Sequence, residues 1–133
     1  MDFNVVEAIR ANYAPTASLL ATIKAVVKHW PRPAAALTAE FRGRINAPGT
    51  DEALRVTVQG YSDTANLTGL AFFPNMRVPL GTPIELAHRT GTAQDEAERL
   101  GDWSTSTGNY LTPVDVYTSA RRLGRQVYAV VSV

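Results

Sequence analysis

The stretch from Thr16 to Trp30 constrains the fold of this chain more than any other segment. Its large apolar residues recur every three or four positions, which places them on one side of a helix. They are Leu19, Leu20, Ile23, Val26, Val27 and Trp30. Lys24 and Lys28 fall on the other side, Thr16 is the expected N-cap, and Pro31-Arg32-Pro33 ends the helix. The apolar stripe must therefore be buried against the rest of the chain or against another chain.

A shorter helix is predicted before this one. Asp2 is its expected cap, and Pro15 separates it from the central helix. One side of the short helix carries Phe3, Val6, Ile9 and Tyr13. Residues 1–31 are therefore expected to form a helical arm, as one kinked helix or two short helices.

After the arm, the apolar period changes from 3.6 to 2. Apolar or small residues at Leu37, Ala39, Phe41, Gly43 and Ile45 alternate with polar ones, which is typical of a half-buried strand with a solvated outer face. Residues 46–53 have the composition of a turn, and the alternation at 54–58 predicts a returning strand. The sequence therefore predicts an antiparallel hairpin.

The remaining chain alternates between further strands and loops. The expected elements are a strand over Leu67–Phe73, a strand through Ile84, Leu86 and His88, a short helix over Thr92–Gly101, a polar loop over Trp103–Pro113, and strands over Val114–Tyr117 and Gln126–Val133 joined through Ser119–Arg125. We therefore predict one α+β domain over residues 1–133. Its helical arm packs on a β-rich body, residues 35–133, in which about six strands form an antiparallel sheet or a small β-barrel.

The composition excludes several kinds of chemistry. The chain has no cysteine, so it forms no disulfide and no thiolate metal site. Its 13 basic and 12 acidic residues give a formal net charge of +1, which provides no general attraction to nucleic acid. The start of the chain lacks the basic region of a secretory signal, and no apolar run approaches the length of a membrane span. We expect a protein that is cytoplasmic at synthesis and does not bind membranes.

No catalytic residue, cofactor or metal ligand can be assigned from the sequence. The two histidines are the main candidates for catalysis. His29 ends the central helix, where an imidazole is favourable for local reasons. His88 shares strand parity with Ile84 and is expected to face the core, whereas Glu85 is expected on the opposite face. Whether His88 lines a ligand pocket is left open.

Arginines are concentrated in two places. Arg121, Arg122 and Arg125 form the densest basic cluster, and the hairpin is expected to carry arginines at 42, 44 and 55 on its outer face. Together they could form a cationic surface for phosphate or for acidic protein partners. We predict that the protein contacts lie at Trp103, Tyr110, Arg121, Arg122, Arg125, Tyr128 and Val130.

Three classes of function are compatible with these observations. We expect a non-enzymatic structural or assembly subunit, in a homo-oligomer or a larger assembly with other protein subunits. Its composition is typical of virion components of tailed bacteriophages, such as neck, tail or capsid-decorating proteins. The alternative is a small-molecule-binding protein or enzyme, in which helices on a curved sheet enclose a pocket lined by Tyr61, His88, Trp103 or Tyr110. The third class, nucleic-acid binding through the arginine turn, is disfavoured by the net charge.

Overall fold

The computed structural model describes residues 1–13, 18–44, 46–47, 49–104 and 108–133, except for the side chains of residues 12 and 13. Its helices and strands are, in chain order, α1 (Phe3–Tyr13), α2 (Leu19–Lys28), β1 (Ala34–Arg42), β2 (Ala53–Tyr61), α3 (Pro83–Thr90), β3 (Gln94–Arg99), β4 (Asp115–Leu123) and β5 (Gln126–Ser132). The predicted positions Tyr13 (its side chain), Pro15, Thr16 and Ile45 lie outside the described residues. The α+β prediction is confirmed.

The five strands form one antiparallel sheet in the order β2-β1-β5-β4-β3. The sheet is open, so the barrel alternative is wrong. The central strand β5 pairs with both β1 and β4, as in Ala36↔Val130 and Ala120↔Ala129. Because both faces of β5 are covered, Val127 and Val130 are each fully buried although they point in opposite directions.

The central helix packs on one face of the sheet through the predicted stripe. Ile23 and Val27 are fully buried, whereas Lys24 is exposed. The N-cap is Ser18, whose Oγ accepts a hydrogen bond from the Ala21 amide at 3.1 Å. The helix therefore begins at Leu19 with Ser18 as its cap, whereas the predicted cap, Thr16, lies outside the described residues; the helix ends before the proline segment as predicted.

Helix α1 continues this layer. The Asp2 carboxylate accepts from the Val5 amide at 3.1 Å, as expected of the predicted cap. Phe3 and Val6 are buried against α2 and the sheet. The Phe3 amide also donates to Ser119 Oγ of β4 at 3.2 Å, so the start of the arm is fixed to the sheet.

The predicted hairpin is confirmed as β1 and β2, but its outer face is not solvated throughout. The first six residues of β1 are all buried, because the helical arm packs on the face that was expected to meet water. Thr38 on that face is 1% exposed and shares a 2.7 Å hydrogen bond with Thr57. The half-buried assignment is therefore wrong for this part of β1.

The opposite face is covered by α3, where the sequence analysis predicted a strand. Thr82 Oγ1 accepts from the Glu85 amide at 3.4 Å, and Pro83 occupies the first turn, where its missing amide proton has no cost. Gly91 ends the helix in the left-handed conformation with φ 69°. These caps fix a helix, so the strand assignment through Ile84, Leu86 and His88 is wrong.

Two further predicted elements are wrong on this side. The predicted helix over Thr92–Gly101 is largely strand β3, because residues 94–99 pair with β4 over their whole length. The predicted strand over Leu67–Phe73 is irregular chain after a single 3₁₀ turn at Ala65–Leu67. Leu70 and Phe72 of this segment are nevertheless buried in the core.

The last hairpin differs from the prediction in its turn. Strand β4 extends to Leu123, so Arg121 and Arg122 lie in a strand and not in a connecting loop. The turn itself consists of Gly124 and Arg125, and Gly124 has φ 63°, which glycine adopts without strain.

Candidate functional site

A cleft of about 1060 Å³ lies at the end of the sheet where β1 ends and β2 begins. Its first wall is the end of the β1–β2 hairpin, the second is residues 77–80, and the third is α3. The charged side chains that line it are Arg44, Asp51, Glu52, Arg77, Glu85, Arg89, Asp102 and Arg122. We refer to this cavity as the arginine cleft.

Asp51 organises the hairpin wall. It lies in the turn between β1 and β2 with φ 53°, a left-handed conformation that aspartate tolerates better than most residues. Its Oδ2 accepts from Arg44 Nε at 3.2 Å and from Arg55 Nη2 at 3.3 Å, and its Oδ1 pairs with Arg77. Three guanidinium groups therefore converge on one carboxylate.

Arg55 is the buried member of this group, at 5% exposure. Its donors bind the backbone oxygens of Arg42 at 3.2 Å, Asn75 at 3.0 Å and Asp51 at 2.8 Å. Burial lowers the pKa of Arg55, and the neighbouring charge of Arg44 lowers it further. The prediction that Arg55 belongs to an outer cationic face is wrong, because its side chain joins three segments of backbone.

On the α3 wall, Glu85 and Arg89 form an ion pair at 3.0 Å. Glu85 is 6% exposed, and its Oε1 also accepts from the Gly81 amide at 3.1 Å. The hydrogen bond from Arg89 lowers the pKa of Glu85 and raises the pKa of Arg89. The predicted outward position of Glu85 is wrong, because the residue lies on a helix and not on a strand.

His88 lines the arginine cleft and does not enter the core, contrary to its predicted orientation. Its ring stacks on Phe41 with 6.4 Å between centroids and 9° between planes. Its backbone oxygen accepts from Arg122 Nη1 at 2.6 Å, which holds the end of α3 against β4. His88 is therefore part of the wall of the arginine cleft.

Two of the predicted contact residues are in the core. Trp103 is 1% exposed and Val130 is fully buried, so neither offers a side chain to a partner. Trp103 packs edge-to-face on Phe72 at 5.3 Å, and its Nε1 donates to Glu98 Oε1 at 2.9 Å. The interface prediction for Trp103 and Val130 is wrong because both sheet faces are covered.

The predicted arginine cluster is divided by strand alternation. Arg121 points to the helical arm, where its guanidinium lies 5.2 Å from the Phe3 ring centre and its Nη1 donates to Asp95 at 3.1 Å. Burial would raise the pKa of Asp95, but hydrogen bonds from Ser119 and Arg121 outweigh it and lower that pKa. Arg122 points to the opposite face and lines the arginine cleft.

The other predicted contact residues lie apart from one another. Arg125 is exposed in the last turn. Tyr128 is half-buried beside the helical arm, and its hydroxyl donates to Gln126 at 3.0 Å. Tyr110 is 66% exposed and pairs with Ser104, which lines the arginine cleft. Of the seven predicted residues, only Arg122 contributes directly to the cleft.

Tyr61, which the pocket alternative named, is engaged in the fold. Its hydroxyl donates to Gln59 and accepts from the Phe72 amide at 2.9 Å. Burial raises the pKa of the Tyr61 phenol. This residue does not line the arginine cleft, so of the four residues named for a pocket only His88 does so.

Sequence reasoning missed most of the cleft. Arg44 and Asp51 carried a weak signal, since Arg44 precedes a predicted turn and Asp51 lies within it. Arg77 carried none, because its position depends on residues 76–78 lying along the edge of β2. Arg89 was missed because α3 was assigned as a strand.

No cluster of three metal-ligating side chains occurs in the described part of the chain. Among the same residues, no helix has the length and apolar character needed to cross a bilayer. In comparisons with known proteins, no family model and no curated relative matches the chain.

Proposed function

We propose that this protein is a non-enzymatic assembly subunit that binds another protein subunit through the arginine cleft. One observation carries the proposal: exposed apolar side chains stand beside exposed arginines around a single cavity. Phe41 is 53% exposed and Leu80 is 88% exposed, next to Arg44 and Arg77. Aromatic residues and arginine are enriched in protein interfaces, and here both kinds of residue line the same cavity.

Burial of the side chains at the cleft would contribute free energy to binding a protein partner. Full burial of a side chain such as Leu80 or Phe41 contributes about 1.5–3 kcal/mol. Arginines at the rim add specificity through paired hydrogen bonds, and their long side chains also cover apolar surface. A partner that covers the cleft would therefore combine an apolar centre with a charged rim, as stable interfaces do.

Within this class we propose a component of a tailed-bacteriophage virion, in the neck, the tail or the capsid decoration. The support is the small size of the chain, its lack of cysteine and the contact surface described above. Mass spectrometry of purified virions from the source is the direct test. Recovery of the chain only in the free-protein fraction would contradict this specific assignment and leave the assembly proposal standing.

The assembly proposal is tested by native mass spectrometry over a range of protein concentrations. We expect a defined oligomer without added mass, and Leu80→Ser should shift it towards the monomer. Leu67→Ser is the matched control, because Leu67 is 76% exposed but lies outside the cleft. Equal behaviour of the two variants would contradict the proposed surface.

The small-molecule alternative retains one specific observation. His88 lines a cavity whose volume is close to the upper end of the range for ligand pockets, about 300–1,000 Å³. A monomer that retains a small extra mass, lost in His88→Ala, would favour this alternative over assembly.

A further inference from the structure

We propose that Arg44 and Arg77 form a receptor for a carboxylate group, supplied by an acidic segment of the partner subunit. This inference rests on the proposed assembly function and specifies the chemistry of the partner. It concerns the part of the arginine cleft around Asp51, which Arg44 reaches from the hairpin wall and Arg77 from residues 77–80.

The geometry of Asp51 shows that the two guanidinium groups already converge on a carboxylate. Arg44 approaches Oδ2 and Arg77 approaches Oδ1, so each arginine takes a different oxygen. In the described contacts Arg44 uses only its Nε in side-chain hydrogen bonds, and Arg77 pairs through Nη2. A guanidinium has five N–H donors, so most donors of both groups remain for a second carboxylate.

Exposure makes these donors accessible. The Arg44 side chain is 61% exposed and that of Arg77 is 46% exposed, although both line the cleft. Arg55 differs, because its side chain is 6% exposed and its donors bind backbone oxygens. The first two are therefore the ligand-binding members of the group, and Arg55 supports the turn that presents Asp51.

The charges around Asp51 favour an anionic partner. Arg44, Arg55 and Arg77 all pair with Asp51, and Glu52 is the other acid of this turn, so this group has one positive charge in excess. The lining of the whole cleft is balanced, with four arginines and four acids. On the α3 wall the Glu85–Arg89 pair is already neutral. An added carboxylate is therefore favoured at the hairpin wall, and Leu80 beside it provides contact for an apolar neighbour in the same segment.

Asp51 also prepares the site. It holds the two guanidinium groups in place before a partner arrives, so less side-chain entropy is lost on binding. The same carboxylate competes for their donors. Removing its charge should therefore strengthen the binding of an external carboxylate, provided that the turn keeps its conformation. Asparagine tolerates the left-handed conformation, so Asp51→Asn is the suitable variant.

The test is fluorescence anisotropy of a labelled peptide, Glu-Glu-Leu-Glu-Glu, compared with the same peptide carrying glutamine in place of glutamate. We expect wild-type protein to bind the acidic peptide in a salt-dependent way, and Arg44→Gln/Arg77→Gln to bind it at least about tenfold more weakly. Arg89→Gln removes one positive charge from the same cleft as a control and should change affinity less than about twofold, because Arg89 lies on the α3 wall and binds both oxygens of Glu85.

A second pair of variants separates a specific site from general electrostatics. Asp51→Asn and Asp102→Asn each remove one negative charge from the cleft lining. We expect only Asp51→Asn to tighten the peptide complex by more than about threefold, because it frees donors of the two arginines. Equal tightening by both variants would contradict a specific receptor at Arg44 and Arg77. It would indicate that the overall charge of the cleft determines the affinity for the peptide.

Three results would overturn the inference. The first is equal affinity of the wild type and Arg44→Gln/Arg77→Gln for the acidic peptide, when thermal unfolding shows that both proteins are folded. The second is tighter binding of a twelve-nucleotide oligothymidylate than of the acidic peptide, which would assign the arginines to phosphate. The third is no peptide binding by a protein whose oligomer still depends on Leu80. That last result would leave the assembly proposal intact. If Leu80→Ser instead left the oligomer unchanged while the wild type still bound the peptide, the assembly proposal alone would be contradicted.

Discussion

The two faces of the sheet are covered in different ways. The first face is covered by α1 and α2, two regular helices that present a periodic apolar stripe. The second face is covered by α3, by 3₁₀ turns and by irregular chain, and it carries the larger part of the core. The arginine cleft lies on the second face. Regular packing thus supports the sheet from one side, and the less regular side forms the cavity.

The difference shows what holds irregular chain in place. On the second face, residues 76–78 follow the edge of β2, where the Val56 amide donates to the Met76 oxygen at 2.9 Å and the Val78 amide donates to the Leu54 oxygen at 2.8 Å. Met76 and Val78 are buried as single side chains and not as a periodic stripe. Tertiary hydrogen bonds therefore replace local periodicity in this part of the protein.

The largest predicted effect is the loss of stability when a core side chain is removed from either face of the sheet. Trp103→Ala on the irregular face should reduce the free energy of unfolding by about 3–5 kcal/mol, because it removes a fully packed indole. Ile23→Ala on the helical face should cost about 2–5 kcal/mol. Urea denaturation followed by circular dichroism measures both values.

Tyr110→Ala is the control for Trp103→Ala. Tyr110 belongs to the same loop but is 66% exposed, so its replacement should change stability by less than about 0.5 kcal/mol. A Trp103→Ala protein as stable as the Tyr110→Ala protein would show that the irregular face is not a true core.

The second prediction compares the helix caps of the two faces. Thr82→Ala and Ser18→Ala should each destabilise the protein by about 1 kcal/mol, since each hydroxyl accepts from an amide of the first turn. Thr82 also donates to the Pro79 oxygen at 2.8 Å, so its replacement should be the more costly of the two. Thermal unfolding distinguishes them.

Thr82→Ser keeps the hydroxyl and should remain close to the wild type. If Thr82→Ser were as unstable as Thr82→Ala, the lost methyl group and not the cap would explain the effect. The same variants should alter the arginine cleft, because α3 forms one of its walls.

The sequence was most informative where structure is determined locally. The apolar stripe of α2 and the alternation of the first hairpin were both recognised. The alternation of Ile84, Leu86 and His88 predicts a strand, although Thr82, Pro83 and Gly91 are the caps of a helix. Here the capping residues indicate the secondary structure better than an alternation of three residues does.

Other features could not be predicted locally. Residues 94–99 carry acids and follow a possible cap, but pairing with β4 determines their conformation. Arg55 alternates with apolar residues as an outward side chain should, yet three backbone oxygens from separate segments surround it. The site depends on such long-range contacts. The fold class of the protein was therefore predictable, whereas most residues of the site were not.

The last and smallest predicted effect concerns Glu98, where β3 meets the irregular face. Burial raises the pKa of Glu98, the neighbouring Thr118 hydroxyl and the hydrogen bond from Trp103 only partly oppose this, and the charge of Glu96 adds to the rise. Oε2 of Glu98 is buried without a hydrogen bond in the described structure. Because the folded-state pKa lies above the unfolded one, stability should fall as pH rises from about 4.3 through the folded-state value.

Glu98→Gln should therefore be more stable than the wild type at neutral pH, since glutamine keeps an oxygen for the Trp103 Nε1 donor and carries no charge. The difference should disappear below about pH 4, where the wild-type carboxyl is protonated in both states. Glu96→Gln, on the exposed part of the same strand, is the control and should change stability by less than about 0.5 kcal/mol at neutral pH. A Glu98→Gln protein that is less stable than the wild type at neutral pH would mean that the ionised carboxylate is favoured in the fold.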